Sequence, residues 1–236
     1  MEGIAVHRLT KRYERVTAVD QLTFTLVPGR VTGFVGRNGA GKTTTLRMVL
    51  GLTRPTAGEA TVSGVPYARL RDPLRQVGAV IDANCFHPGW IGRNALRSIA
   101  RTAGIGDNRV DEVLGLVDLT AAAGRRVRGY SLGMRQRLAL AGALLGDPAT
   151  LVLDEPANGL DPDGVRWLRS LIRGLGAQGR SVLVSSHQLA ELSQTVDDVI
   201  VIEQGRLVAH DSIAAITSGA DSLEDGFLRL TAREAE

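Results

Sequence analysis

The sequence predicts an α/β protein with a mainly parallel sheet and an inserted helical region, and three observations carry that expectation. Apolar β-type runs alternate with segments of helical spacing toward both ends of the chain. A glycine-rich turn links one of those runs directly to a helical segment near the N-terminus. From 83 to 146 the apolar residues fall at helical intervals, with almost no strand signal.

The first strands are expected at 4–9, at 18–27, where Leu22, Phe24 and Leu26 alternate with polar neighbours, and at 31–35. Residues 36–41 make the glycine-rich turn, and 42–50 the helix that follows, with Leu46, Val49 and Leu50 at helical spacing and Gly51 closing it. A turn at 54–57 precedes a strand at 59–62, and the apolar run 77–81 ends at Asp82. Three apolar stripes then mark the helical region: Leu96, Ile99 and Ala100; Val110, Val113, Leu114 and Val117; Leu138, Ala141, Leu144 and Leu145. Beyond it a strand at 150–153, a helix at 163–175, a strand at 181–185, a helix at 189–196 and a strand at 199–202 alternate, the order expected of parallel strands with helices on their faces. Residues 207–209 add a short strand and 222–230 a final helix.

Composition bounds the class. A chain of 236 residues can bury a core without disulfides or metals. With 44% hydrophobic and 22% charged residues and no biased tract, it is neither fibrous nor disordered. The single Cys85 has no intrachain partner and no zinc-type spacing around it, which fits a reducing compartment. Residues 1–10 carry Glu2, His7 and Arg8 where a signal peptide needs an apolar run, and no later stretch is long enough to span a bilayer. A net charge of +3 points to no nucleic-acid partner. Lysine occurs only at positions 11 and 42, and arginine supplies the remaining positive charge.

Position 42 lies in the chemically most informative run, Gly36-Arg37-Asn38-Gly39-Ala40-Gly41-Lys42-Thr43, which has the G-x-x-x-x-G-K-[ST] spacing of a phosphate-binding P-loop. Glycines let successive backbone N–H groups converge, and with the helix N-terminus they form an anion cradle. Lys42 can reach outer phosphates, Thr43 can ligate Mg²⁺ and Thr44 can touch an inner phosphate. Taken alone the run is also an ordinary glycine turn, but strand 31–35 and helix 42–50 stand where a P-loop requires them. A second element is 151–156, an apolar strand end running into Asp154 and Glu155. Asp154 can hold the same Mg²⁺ directly or through water, and Glu155 can polarise a water for attack on a γ-phosphate.

Between these elements lies Tyr130-Ser131-Leu132-Gly133-Met134-Arg135-Gln136-Arg137, which resembles the signature motif of ATP-binding cassette (ABC) ATPases. Without that resemblance Ser131 reads as the N-cap of a helix at 133–146. With it, Ser131 and Gly133 are expected to bind the γ-phosphate of ATP held by an opposing subunit. Asn158-Gly159-Leu160-Asp161 is similar to the D-loop that meets the partner, and Ser185-Ser186-His187 looks like the switch-histidine segment, with His187 contacting the γ-phosphate. Tyr13 matches the aromatic residue that stacks on adenine; by itself it is a packing residue near a strand end. The resemblance runs from about 4 to 209 and is nearest to the ATP-binding proteins of ABC-2 type drug and antibiotic exporters.

That resemblance implies a RecA-like P-loop NTPase core at 1–82 and 149–210, with an N-terminal antiparallel β subdomain, an inserted α-helical subdomain at 83–148 and a short helical tail at 211–236. It implies Mg²⁺-ATP as cofactor and substrate, with Glu155, His187 and Lys42 as the catalytic set, and a peripheral cytoplasmic location at the inner face of the membrane. The expected partners are a separate multi-span permease and a second, identical cassette; a soluble ABC ATPase acting in macromolecular assembly is the competing function. Two departures stand out. Asp82 takes the place of the family's usual glutamine after strand 77–81 and is the third expected metal ligand, with shorter reach; Leu132 and Met134 replace the usual glycine and glutamine of the signature. By the resemblance, the segment 84–94, with Phe86 and Trp90, stands where relatives meet a permease; read without it, Phe86 and Trp90 are a local hydrophobic staple and Trp90 partly buried packing, and Arg125, Arg126 and Arg128 read as a solvated loop. The resemblance also implies that the C-terminal regulatory region of longer relatives is missing from a chain ending at Glu236.

Overall fold

The computed structural model describes residues 3–232. The chain builds one compact unit up to Leu70, a second from Arg71 to Leu168, and returns to the first from Arg169 onward.

In the first unit β1 (Ile4–Tyr13) and β2 (Val16–Thr25) form an antiparallel hairpin. Ile4, Val6, Leu9, Leu22 and Phe24 are buried, the two-residue alternation of strands with one face on a core. The alternation slips where Arg8 and Gln21 take positive φ, 46° and 48°; the stranded N–H groups are met by hydroxyls, Arg8 N–H donating to Thr23 Oγ1 at 2.9 Å and Gln21 N–H to Thr10 Oγ1 at 3.0 Å. β3 (Val31–Val35) is buried at all five positions, as a strand covered on both faces must be, and leads into the glycine loop and α1 (Lys42–Val49). β4 (Ala57–Val62) then pairs antiparallel with the free edge of β1.

The second unit opens with α2 (Pro73–Gln76) and β5 (Val77–Val80). Its helices α3 (Gly92–Thr102), α4 (Asp107–Leu116) and α5 (Leu132–Leu144) are followed by β6 (Thr150–Leu153), which pairs parallel with β5. α5 lies so close to β5 that a Cβ at Gly78 would stand 2.1 Å from the Ala143 carbonyl oxygen. Arg109 of α4 caps the C-terminal carbonyls of the same helix, donating to Leu144 O at 2.8 Å and Leu145 O at 3.2 Å. α6 (Pro162–Ala177) begins in this unit and ends in the first.

The remaining elements belong to the first unit: β7 (Ser181–Ser186), α7 (Leu189–Leu192), β8 (Asp198–Glu203), β9 (Arg206–Ser212), α8 (Ile213–Ile216) and α9 (Leu223–Ala232). β3 pairs parallel with β7 on one side and β8 on the other, and β9 closes that edge antiparallel to β8. The C-terminal half of α6 and the end of α7 pack onto β3, where a Cβ at Gly176 would lie 2.7 Å from Val31 Cγ2 and one at Gly33 2.8 Å from Leu192 Cδ2. Arg30 and Asp198 form a bidentate pair at 2.6 and 2.7 Å just before β3 and at the start of β8, fixing the register of these strands. β9 runs to Ser212, past the strand expected at 207–209, and α8 precedes the expected final helix; the stretch 233–236 of the expected tail lies outside the described residues.

Gly78→Ala is expected to lower the unfolding free energy by about 2 kcal/mol or more, because backbone on both sides must move to clear the new methyl group. Urea unfolding followed by circular dichroism measures it.

Candidate ATP-binding and hydrolysis residues

In the first unit the turn between β3 and α1 is shaped by sterics that only glycine meets. A Cβ at Gly36 would lie 2.5 Å from the Ile202 carbonyl oxygen, and one at Gly41 2.5 Å from that of Ala18, so the loop is pressed against two neighbouring strands. Gly39 has φ +83° and Gly41 φ +102°, both in the left-handed region. α1 starts without a side-chain cap at Gly41, so its first N–H groups face the loop rather than a neighbouring hydroxyl. Lys42 is only 7% exposed, and its ammonium donates to Gly36 O at 2.6 Å, which holds the positive charge against the start of the turn. Asn38, Gly39 and Thr43 are exposed, Thr44 is half-buried, and Ala40 is buried with its carbonyl accepting from Gly205 N–H at 3.0 Å.

Tyr13 ends β1 with 47% of its surface exposed. The Lys11 ammonium sits 4.9 Å from its ring centroid while donating to Arg54 O at 2.8 Å, a cation–π contact that steadies the ring. His187 follows β7 and is exposed, whereas Ser185 before it is fully buried. Ser186 Oγ accepts from Gln188 N–H at 2.9 Å and turns the chain at that point.

In the second unit β6 delivers Asp154 and Glu155. Asp154 is 9% exposed and its N–H donates to Val80 O at 2.7 Å, extending the β5–β6 pairing by one residue. Glu155 then takes φ +47°, an uncommon conformation for a residue with a side chain, and its carbonyl accepts from Asn158 N–H at 3.1 Å. Asp161 Oδ1 accepts from Gly164 N–H at 2.8 Å, so the expected partner-contact residue is also the N-cap of α6, with Pro162 at its first position. Ser131 is the N-cap of α5, its hydroxyl accepting from Met134 N–H at 3.2 Å; helix and cap agree with the sequence reading to within one or two residues. Tyr130 donates to Ala122 O at 2.8 Å, and burial raises its phenol pKa, with Arg125 acting in opposition.

Asp82 is engaged inside its own loop. Its Oδ1 accepts from Asn84 N–H at 2.8 Å and from Asn84 Nδ2 at 3.3 Å, and Arg135 of α5 in turn donates to Asn84 Oδ1 at 3.0 Å. Sequence reasoning missed this turn, although an Asp two residues before an Asn is a recognisable turn signal. Phe86 packs near Gly142 of α5, and Trp90 is 49% exposed. Arg125 and Arg126 are more than solvated charges: they donate to Gly129 O at 2.7 Å and Gly89 O at 2.6 Å and so hold the loop around Trp90.

These features define an ABC-type ATPase cassette, and comparison with known proteins agrees. The family model described as ABC transporter matches residues 19–158, and the chain belongs to that family. Over 203 residues it is 42% identical to the bacitracin transport ATP-binding protein BcrA of Bacillus licheniformis, a match covering 85% of this chain and 66% of that protein, so the chain spans about two thirds of its relative. It is 38% identical over 211 residues to the Nod factor export ATP-binding protein I of Burkholderia pseudomallei, covering 87% of this chain and 69% of that one. A solved ATP-binding subunit of an ABC transporter superposes with a TM-score of 0.87 at 25% identity over 97% of this chain and 99% of the other. A dimeric ATP-binding cassette in a post-hydrolysis state with ADP and Pi shares the fold, with a TM-score of 0.81 at 21% identity over 89% of this chain and 98% of that one.

Glu155→Gly is expected to leave the unfolding free energy within about 1 kcal/mol of the parent, because relief of the left-handed backbone offsets glycine's larger unfolded-state entropy. Ser131→Ala, by contrast, removes an N-cap and lowers it by about 1 kcal/mol, which Ser131→Asn restores. Chemical denaturation of the three variants checks both.

Proposed function

We propose that this cassette binds and hydrolyses Mg²⁺-ATP to power export of an antibiotic, drug or lipid-like molecule through a separate multi-span permease, as one of two identical cassettes at the inner face of the membrane. The observation that supports the ATP part is the glycine turn 36–41, packed against Ile202 and Ala18 with the buried Lys42 ammonium beside it, a combination suited to an anion. The hard oxygen donors Thr43 and Asp154 suit Mg²⁺. Bound there, the ion would neutralise charge on the outer phosphates.

The residues then take distinct roles. N–H groups of the turn and Lys42 bind the phosphates, Thr44 an inner one, and Tyr13 presents a ring face to the adenine. Asp82, with Oδ1 committed to Asn84, would help hold the ion through its second oxygen. Glu155 accepts a proton from the attacking water, and His187 donates toward the γ-phosphate. Ser131 and the first N–H groups of α5 receive the γ-phosphate of ATP held by the second cassette, and Asp161 meets that cassette across the dimer.

Relatives named for bacitracin transport and for Nod factor export support the export reading. Among the described residues no helix is long and apolar enough to cross a membrane, and the proposal assigns the membrane path to another chain. The exposed Trp90, on a loop held by Arg126, is the proposed contact for that chain.

Glu155→Gln is expected to keep ATP binding, to lower turnover by about 100-fold or more and to accumulate an ATP-bound dimer; steady-state ATPase assays and sedimentation velocity with ATP measure these. Purification of the tagged protein from detergent-solubilised host membranes should bring down a stoichiometric multi-span protein. Recovery of only ribosomal or assembly factors would replace transport with macromolecular assembly as the function.

A further inference from the structure

We propose that Leu132 is a positioning residue for Glu155 and acts on it through Gly159. The inference rests on the role proposed for Glu155 and deepens it by assigning what holds that carboxylate in place.

Leu132 follows Ser131 at the start of α5, 48% exposed. Its side chain lies over the segment between β6 and α6: a Cβ built on Gly159 would stand 2.2 Å from Leu132 Cδ2 and 2.4 Å from Cγ. The fit is two-sided, since a Cβ on Gly133 would lie 3.4 Å from both the Gly159 carbonyl oxygen and Leu160 Cδ2. The turn before α5 and segment 158–160 therefore interlock, with the volume lacking at residue 159 supplied by residue 132. The family's usual glycine at 132 would leave that space open.

Segment 156–161 transmits what Leu132 imposes because both its ends are tied. Asn158 N–H donates to Glu155 O at 3.1 Å and Leu160 N–H to Ala157 O at 3.1 Å, so the chain is turned back on Glu155. At the other end Asp161 is fixed as the cap of α6 through Gly164 N–H at 2.8 Å. A shift of the Ser131–Leu132 turn presses on Gly159, and with Asp161 anchored the displacement is taken up toward Glu155. Glu155 sits at φ +47°, in a narrow well from which small backbone rotations are costly. A general base works only within about hydrogen-bonding distance of its water, so a displacement near ~1 Å is enough to suppress it. The signature turn that receives the second cassette's nucleotide is in this way geared to the same chain's own base.

The test is a double-mutant cycle on the purified full chain, with kcat and KM for ATP and a thermal unfolding curve for the parent, L132G, G159A, L132G/G159A and L132M. Each single small-for-large or large-for-small exchange is expected to lower kcat by about tenfold or more while KM for ATP stays within about twofold, because the P-loop is untouched. Gly159 has φ +79°, so an alanine there stays strained even with Leu132 removed; L132G/G159A should therefore recover in part, at least about threefold more active than the product of the two single losses, the new methyl group filling space that Leu132 vacates, and L132M should recover most of what L132G loses. Losses that multiply in the double variant overturn the interlock, as does a rise in KM at unchanged kcat. So does a loss of activity that tracks the unfolding temperature instead of the cycle. Should G159A not fold, kcat falling in the order parent, L132A, L132G upholds the proposal and kcat indifferent to side-chain volume at 132 overturns it. The underlying assignment is read separately: E155Q turning over ATP at the parent's rate refutes the base, and the proposal with it.

Discussion

The candidate nucleotide site depends first on a steric constraint, the close approach of the P-loop backbone to its neighbours. Gly36 lies against the carbonyl of Ile202 at the end of β8, and Gly41 against that of Ala18 in β2. Neither glycine has room for a side chain, Ala40 N–H closes the turn by donating to Arg37 O at 3.0 Å, and α1 begins without a capping side chain at Gly41. The rest of the first unit serves this arrangement. β3 is buried along its whole length between β7 and β8, so its end, and the loop that leaves it, is held by hydrogen bonds on both sides. The Arg30–Asp198 pair fixes the register of β3 against β8, and thereby the position of Ile202 opposite Gly36.

In the second unit the equivalent constraint is close packing between a helix start and a short turned segment. α5 is drawn onto β5 at Gly78, capped at one end by Ser131 and at the other by Arg109. The same helix therefore carries the signature residues and rests on a strand paired with the one that presents Asp154 and Glu155. Its Arg135 also reaches Asn84 and, through it, Asp82. Three pieces of sequence far apart in the chain, at 82–84, 131–135 and 154–161, thus form one mechanically connected body. Glu155, the proposed base, carries its side chain on a left-handed backbone that most residues avoid.

Several of these features were readable in the residues themselves. The strand–glycine turn–helix succession at 31–50 has a local cause, apolar β-branched residues followed by glycines and then helical spacing, and the structure realises it within a residue or two. Ser131 as a helix cap followed from its place before a helical stripe. Other features depend on partners remote in sequence. The resemblance gave Asp82 a place near the metal, and only the fold shows that its Oδ1 already accepts from Asn84. Arg125 and Arg126 looked like solvated charge until the loop around Gly89 and Gly129 brought carbonyls to them. The exposure of Trp90 depends on that same loop, which composition does not describe.

By itself the sequence determined the α/β class, the succession of elements and the residues proposed to bind phosphate, hold a metal and accept a proton. Periodicity, capping and glycine spacing are local properties that a chain carries with it. Only the tertiary structure decided which glycines are required by contact rather than by conformation, which carboxylate oxygens are already engaged, and that Leu132 fills the space above Gly159. Those outcomes depend on atoms brought within van der Waals or hydrogen-bonding distance from elements far apart in the chain. Steric exclusion and hydrogen bonding act over only a few ångströms, so no pattern along the sequence encodes them until the chain has folded.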